Sequence, residues 1–466
     1  MDLDRIKNTI FRLFKSPIIY ELDDIFTPAT AAIKNYVERS DIDNQLSSEM
    51  STRGKQIIVF GDSGSGKTSS VLNLLKKNNY HFIRTHCESS TTFEELILNA
   101  FDQLNPFVKS ETSNKQTATL TGEFALEYKK IKASIATGAT TEENATYIRM
   151  LPVQLTPQKL AQFMGEGQIV WLIEDFHKVS AKEKARIADV LKIFVDNAND
   201  YRLSKIICIG ACQSAHELIQ LDPNLRTRVS EVSIPLLTND EIKKIIINGF
   251  SFLNVEPPDS LVDKLVYYSD RLGASAHQMC MDICKKEKIF HTCRKKRRIE
   301  DQTFQYAVNE FIRRSEDTFK SIYEAAANNE LGWYILKSFS RNNNKLSFDE
   351  ILKSVNSESR NYDKEIIKEN LNKLTGPNFN IIHYNPNTEM YFLSSPFWHH
   401  FLKLQHRIEE AENDRKIKDE NNDNLKLNYN NYDVVDKSLY ELIEKLEQER
   451  KIDLERLDYL TEEEDY

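Results

Sequence analysis

Residues 56–72 read QIIVFGDSGSGKTSSVL. A short run of β-forming residues meets, with no linker, an eight-residue stretch, Gly61–Thr68, that fits G-x-x-x-x-G-K-[ST]. VLNLLKK then continues with helical spacing. Strand, glycine loop and helix in that order commit the chain to a parallel sheet covered by helices on both faces. The glycines let the backbone curl so that successive N–H groups face one point, and the helix N-terminus adds its dipole there. This is a cradle for a polyphosphate. Gly61, Asp62, Ser63, Gly64, Ser65, Gly66, Lys67, Thr68 and Ser69 are its candidate residues, with Lys67 reaching the β- and γ-phosphates and the Thr68 hydroxyl facing Mg²⁺.

The rest of the chain supplies the sheet. YHFIRTHC (80–87) alternates like a strand, TTFEELILNAFDQL (91–104) is an amphipathic helix, and IVWLI (169–173), SKIICIG (204–210) and EVSIPLL (231–237) are further strands. Between them TPQKLAQFM (156–164) and AKEKARIADVLKIFVDNAND are helical. Residues 108–150, rich in Ser, Thr, Asn and Ala, read as an insertion. From 238 to about 325 the pattern is all helical, as in a lid, and 326–406 reads as three helices followed by a hairpin, IIHY and MYFL about NPNTE, which is a winged-helix order. The expected fold is therefore α/β. A P-loop domain over 1–237 is followed by a helical lid (238–325), a winged helix (326–406) and an acidic tail with a terminal helix (407–466).

Net charge is −9, but the tail carries 20 acids and 10 bases, so the body is near neutral and local patches must decide what it binds. No stretch is apolar enough for a membrane helix, the N-terminus has no secretory pattern, and six scattered cysteines fit a reducing cytoplasm without a disulfide framework. Cys280 and Cys284 lack a second pair at zinc spacing and read as core thiols.

At the end of the third strand stand Glu174 and Asp175, where a P-loop ATPase presents a metal-holding acid and a water-activating acid. Glu174, with Thr68, is the expected Mg²⁺ partner. The usual order is Asp then Glu, so the second carboxylate here is one methylene shorter. A misplacement near 1 Å can cost roughly 100-fold in rate, so slow hydrolysis is expected. His177 reads as a surface residue after the strand. Past the fourth strand, Gln213 can meet the γ-phosphate or the attacking water. Arg226 and Arg228 precede the fifth strand, where an arginine either pairs with Asp222 or Glu231 or serves a neighbouring subunit in trans.

Glycine loop, acid-ended strand, polar post-strand residues, pre-strand arginine and helical lid, in that order, resemble the AAA+ superfamily over about residues 20–403. Within it the chain resembles the branch of replication-initiator ATPases and their STAND-like relatives with a winged helix. IEDFH, GACQSAHEL and DPNLRTRVSEVSIPLL are similar to a group of prokaryotic AAA-type ATPases, some of them serving in phage defence. The resemblance implies ATP and Mg²⁺ as ligands, a homo-oligomer joined through Arg228, and Glu174, Asp175, Gln213 and Arg228 in catalysis. Two departures stand out. FTPATAAIKNYVER replaces the branch's Arg-Glu signature, and the lid helix LGASAHQMCMDI offers His277 where a sensor arginine belongs.

Lys285 to Arg298 includes the run Arg294–Arg298 and is a candidate DNA contact together with the winged helix. The helix IIKENLNKLTGPNF carries two lysines and no arginine, so protein contact is as good a reading for that module. The acidic tail can cover the basic run. No nuclease, protease or deaminase constellation is visible, so any effector is a partner protein. Three functions stay open: an oligomeric ATPase switch, a DNA-binding initiator, and a scaffold that holds ATP without hydrolysing it.

Overall fold

The computed structural model describes residues 18–110, 155–212, 226–341, 344–357, 361–386, 388–410 and 412. The chain divides into two units, 1–404 and 405–466. In the second, the described residues 405–410 and 412 are helical. The 111–150 part of the expected insertion, Gln213 and most of the acidic tail lie outside the described residues.

In the first unit a four-residue helical turn (Leu22–Ile25) precedes α1 (Ser40–Ser51), β1 (Gln56–Gly61), α2 (Lys67–Lys77), β2 (His81–His86), α3 (Phe93–Ser110), α4 (Pro157–Glu166), β3 (Ile169–Glu174), α5 (Ala181–Asn197), β4 (Lys205–Ala211) and β5 (Val229–Ser233). The strands form one parallel sheet in the order β2-β3-β4-β1-β5. Because side chains alternate across a strand, each central strand feeds two cores. Ile58, Ile83, Trp171, Ile173, Ile206 and Cys208 pack with residues of α3, α4 and α5. Ile57, Val59, Val170, Leu172, Ile207 and Ile209 pack with residues of α1 and α2 on the other face. From β1 the chain crosses to the β2 edge and from β4 it crosses to the β5 edge. The carboxyl ends between them are the switch point where such sheets bind ligands.

Local chemistry sets the element ends. Thr92 and Glu95 cap α3 reciprocally, Thr92 Oγ1 accepting from Glu95 N at 3.3 Å and Glu95 Oε2 from Thr92 N at 3.0 Å. That helix runs to Ser110, beyond the expected end at 104. β5 starts at Val229 and stops at Ser233, short of the expected 231–237, because Pro235 has no N–H to continue the ladder.

Next come α6 (Asn239–Phe252), β6 (Val255–Glu256), α7 (Asp259–Tyr268), α8 (Gly273–Lys286), β7 (Arg297–Arg298), α9 (Thr303–Arg314) and α10 (Ser321–Ala326). Helices α6 to α9 coincide with the helical runs read in 238–325, and α10 adds a short one. The β6–β7 pair was not expected, and it turns the end of the basic run into a strand. The remaining elements are α11 (Glu330–Arg341), β8 (Lys345–Ser347), α12 (Phe348–Val355), α13 (Lys364–Thr375), β9 (Ile382–Asn385), β10 (Met390–Leu393) and a helix from 396. β8 completes a three-stranded antiparallel sheet, β8-β10-β9.

That last helix is tied to the lid. His399 Nδ1 lies 2.6 Å from Asp270 Oδ2, Lys403 Nζ donates to Asp270 Oδ1 at 3.2 Å, and His400 Nδ1 lies 2.7 Å from the Tyr268 carbonyl. Asp270 and Arg271 both hold left-handed backbone angles, φ 53° and 64°, so the connection between α7 and α8 is a tight, fixed turn.

Candidate functional site

The loop between β1 and α2 is built as its sequence requires. A Cβ at Gly61 (φ +146°) would stand 2.2 Å from the Ile234 carbonyl oxygen, so no other residue fits there. Gly66 (φ +88°) precedes the first turn of α2, and a Cβ there would meet nothing within 4 Å. The backbone is thus curled around an opening at the helix N-terminus. Lys67 Nζ is folded back on this loop, donating to the carbonyls of Gly61 (2.9 Å) and Asp62 (2.6 Å). Burial holds its pKa below the ordinary lysine value, with the Asp62 carboxylate opposing that shift.

The end of β3 delivers Glu174 to the same opening. Its Oε2 accepts from the Thr68 hydroxyl at 3.0 Å. Its Oε1 accepts from Arg84 of β2, whose Nε is 2.7 Å away and whose Nη2 is 2.5 Å away. Asp175 behaves differently. It takes a left-handed conformation (φ 57°, ψ 27°), and its Oδ2 accepts from Lys178 Nζ at 2.9 Å. The two acids therefore differ in setting, one buried against Thr68 and Arg84, the other half-exposed and paired outward.

A cavity of about 520 Å³ adjoins these groups. The glycine loop forms one wall and the segment around Thr27–Arg39 another. Arg84, His86, Glu174 and Asp175 line it too, as do Leu237 and, from the helical segment 238–325, Ile245, Gly273, Ala274 and His277. Its size and mixed lining suit a nucleotide. The donor set fits a magnesium nucleotide: backbone N–H groups at a helix N-terminus, a lysine, and a hydroxyl beside a carboxylate. The Ser65 hydroxyl, buried in the loop with no hydrogen-bond partner, adds an unsatisfied group beside them. Among the described residues no cluster of three His, Cys, Asp or Glu could hold a metal ion by itself. Any ion here needs phosphate oxygens as well.

His277 lines this cavity, but its ring is already used. Nδ1 accepts from Thr27 N at 3.1 Å, and a further bond joins the imidazole to the Ile25 backbone. Burial pushes its pKa down to about 4, so at neutral pH it brings no positive charge. The expected partly charged stand-in for a sensor arginine is corrected to a neutral anchor between α8 and the chain entering the site. His177 is also not a bare surface residue. Its Nδ1 accepts from Ala211 N at 3.1 Å, holding the end of β4, and burial lowers its pKa.

Arg228 sits at the opposite end of the sheet. Its carbonyl accepts from Gln56 N at the start of β1, while the glycine loop follows the end of β1. Its guanidinium pairs with Asp196 at 3.4 Å rather than with Glu231, and Asp222 lies outside the described residues. The basic run is largely compensated: Lys296 and Arg298 pair with Glu256 at 2.7 and 3.0 Å, and Arg297 with Glu287 at 3.0 Å.

Two site residues escaped the sequence reading. One is Arg84, for which an arginine in the alternating strand YHFIRTHC was the available signal. The other is Arg39, buried, whose guanidinium reaches Glu241 Oε1 (3.2 Å), the Ser65 carbonyl (3.2 Å) and the Leu236 carbonyl (3.3 Å).

Residues 57–235 match the family model "ATPase family associated with various cellular activities (AAA)". No curated protein matches the sequence. Among solved structures, the chain is similar to the Walker-type ATPase PABY2304 of Pyrococcus abyssi, at 12% identity and a TM-score of 0.46, covering 81% of this chain and 99% of that one. It is similar to the ORC2 protein of Aeropyrum pernix at 12% identity and a TM-score of 0.45, covering 85% and 99%. It is also similar to Cdc6p from Pyrobaculum aerophilum at 13% identity and a TM-score of 0.40, covering 84% and 99%.

Proposed function

We propose, from the premise that this chain carries an AAA-family ATPase domain over residues 57–235, that it binds ATP with Mg²⁺ and hydrolyses it slowly as a nucleotide-controlled oligomeric switch. The observation that carries this reading is the meeting of Thr68 and Glu174 at 3.0 Å beside the folded-back Lys67, at the mouth of the cavity. Thr68 and Glu174 would hold Mg²⁺, which would neutralise charge on the transferred phosphoryl group. Lys67 would move from its two carbonyls to the phosphates, and Asp175 would orient the attacking water once it leaves Lys178. Gln213 would contact the γ-phosphate. Slow turnover is supported by the outward pairing of Asp175, which must first leave Lys178, and by the neutrality of His277.

Arg228 would act in trans. Its place at the far end of the sheet from its own glycine loop supports that role and, with it, a homo-oligomer. The C-terminal elements α11 to β10 support a winged-helix module. Its helix α13 pairs Lys368 with Glu365 and Lys373 with Glu369, which favours a protein partner over DNA. The partner would be an effector, in keeping with the resemblance to prokaryotic defence ATPases. Loading onto DNA as an initiator is the second reading, supported by the exposed Lys285, Lys288, Arg294 and Lys295.

The test is ATP binding and phosphate release for wild type and Lys67→Ala. Micromolar binding and measurable release in wild type, with both lost in the variant, support the reading. Tight binding with no release supports a scaffold, and no binding removes the proposal.

A further inference from the structure

The carboxylate that should face a divalent ion is already occupied by a cation of the protein. β2 and β3 are parallel neighbours, with Arg84 opposite Leu172 and His86 opposite Glu174. Phe82, Arg84 and His86 alternate onto one face of the sheet. Phe82 packs in the layer that α2 covers, so this is the face of the glycine loop. From there the guanidinium reaches two residues forward and places Nε and Nη2 on Glu174 Oε1. Thr68 takes Oε2, so both carboxylate oxygens are satisfied without a metal.

The base of Arg84 is pinned while its head is not. Gln103 Oε1 accepts from Arg84 N at 2.9 Å, and Gln103 Nε2 donates to the Arg84 carbonyl at 2.6 Å. The Arg84 side chain is 37% exposed and lines the cavity, whereas that of Glu174 is only 8% exposed. A charge-assisted pair on so buried a carboxylate is strong, and a guanidinium is also well shaped for phosphate oxygens.

The geometry points to Arg84 as a resident cation that holds the place of the divalent ion at Glu174 and exchanges it for the phosphates of the incoming nucleotide. This rests on the nucleotide reading above. While that pair holds, Glu174 is closed to a divalent ion, which can bind only once Arg84 leaves it. Once released, the guanidinium stays at the cavity mouth, because its backbone is fixed, and its N–H groups donate to the polyphosphate. Arg84 therefore opposes the metal and assists the nucleotide, so it sets how far binding depends on Mg²⁺.

The readout is the ratio of dissociation constants for a fluorescent N-methylanthraniloyl-ATP in EDTA and in excess Mg²⁺. It needs no turnover. Arg84→Ala is expected to raise this ratio by about tenfold or more, the scale of one hydrogen bond to a charged group, by weakening the metal-free complex, whereas in the metal complex the lost phosphate contact is offset by the freeing of Glu174 for Mg²⁺. Arg84→Lys keeps a charge but loses the fork, so it should fall between. It also decides the matter if the alanine variant does not fold. A general packing role would shift both constants together, and an unchanged ratio in both variants overturns the assignment. If wild type binds no nucleotide with or without Mg²⁺, the nucleotide reading itself fails and this inference goes with it.

Discussion

Asp175 holds a left-handed backbone, which a β-branched side chain tolerates poorly. Asp175→Val should therefore cost roughly 1–2 kcal/mol in a urea titration, while Asp175→Asn should be close to neutral. Equal losses would mean that the pair with Lys178, and not the turn, fixes this residue. Two histidines give the protein an acid limit. Burial lowers the pKa of His277 and of His400 to about 4, below the unfolded value. Between the two values the unfolded chain binds more protons, so the contribution is complete above about pH 6.5 and is lost as pH falls toward 4. From pH 7 to 5 each should remove roughly 2 kcal/mol of stability, and His277→Gln should flatten part of that slope.

The glycine loop and the acid pair were legible at this scale because their spacing along the chain is itself the signal. Arg84 was not. Its partner is set by the register of β2 against β3, which no local pattern encodes. The neutrality of His277 was hidden too, since it depends on which segment packs over the lid.

At the scale of elements, Arg39 joins three pieces: the start of α1, the glycine loop through Ser65, and the entry to α6 through Leu236 and Glu241. Arg39→Ala leaves a mostly buried Glu241 unpaired and should lower stability by roughly 3 kcal/mol. Calorimetry with and without ATP checks this. A loss that is the same with and without saturating ATP would mean that Arg39 only packs, whereas a smaller gain from ATP in the variant marks it as a tie between loop and lid. The long parallel strands and amphipathic helices could be read because burial on both faces leaves continuous apolar runs and burial on one leaves periodic ones. β6, β7 and β8 could not, being two or three residues long and defined by their partners. The pairing of β6 with β7 brings Glu256 beside Lys296 and Arg298, which is why the basic run looked freer in sequence than it is.

At the scale of the molecule, the first unit places the C-terminal elements against the nucleotide loop. A Cβ at Gly64 would stand 2.8 Å from Leu272 Cδ2 in the lid turn and 3.2 Å from Phe397 Cζ in the last helix. Asp270 is held from that same helix by His399 and Lys403. Asp270→Ala leaves His399 and Lys403 without their acid and should destabilise the protein by roughly 2–4 kcal/mol. ATP affinity should change in the same variant if the turn shapes the cavity, whereas an unchanged affinity would confine Asp270 to stability.

The proposed composite ATPase site, completed by a neighbouring subunit, is best probed by turnover per subunit as a function of protein concentration, for wild type and Arg228→Ala. With a composite site, a low rate rises with concentration in wild type and stays near zero in the variant, with ATP binding retained in both. A rate that is independent of concentration and unaffected by the substitution would contradict it.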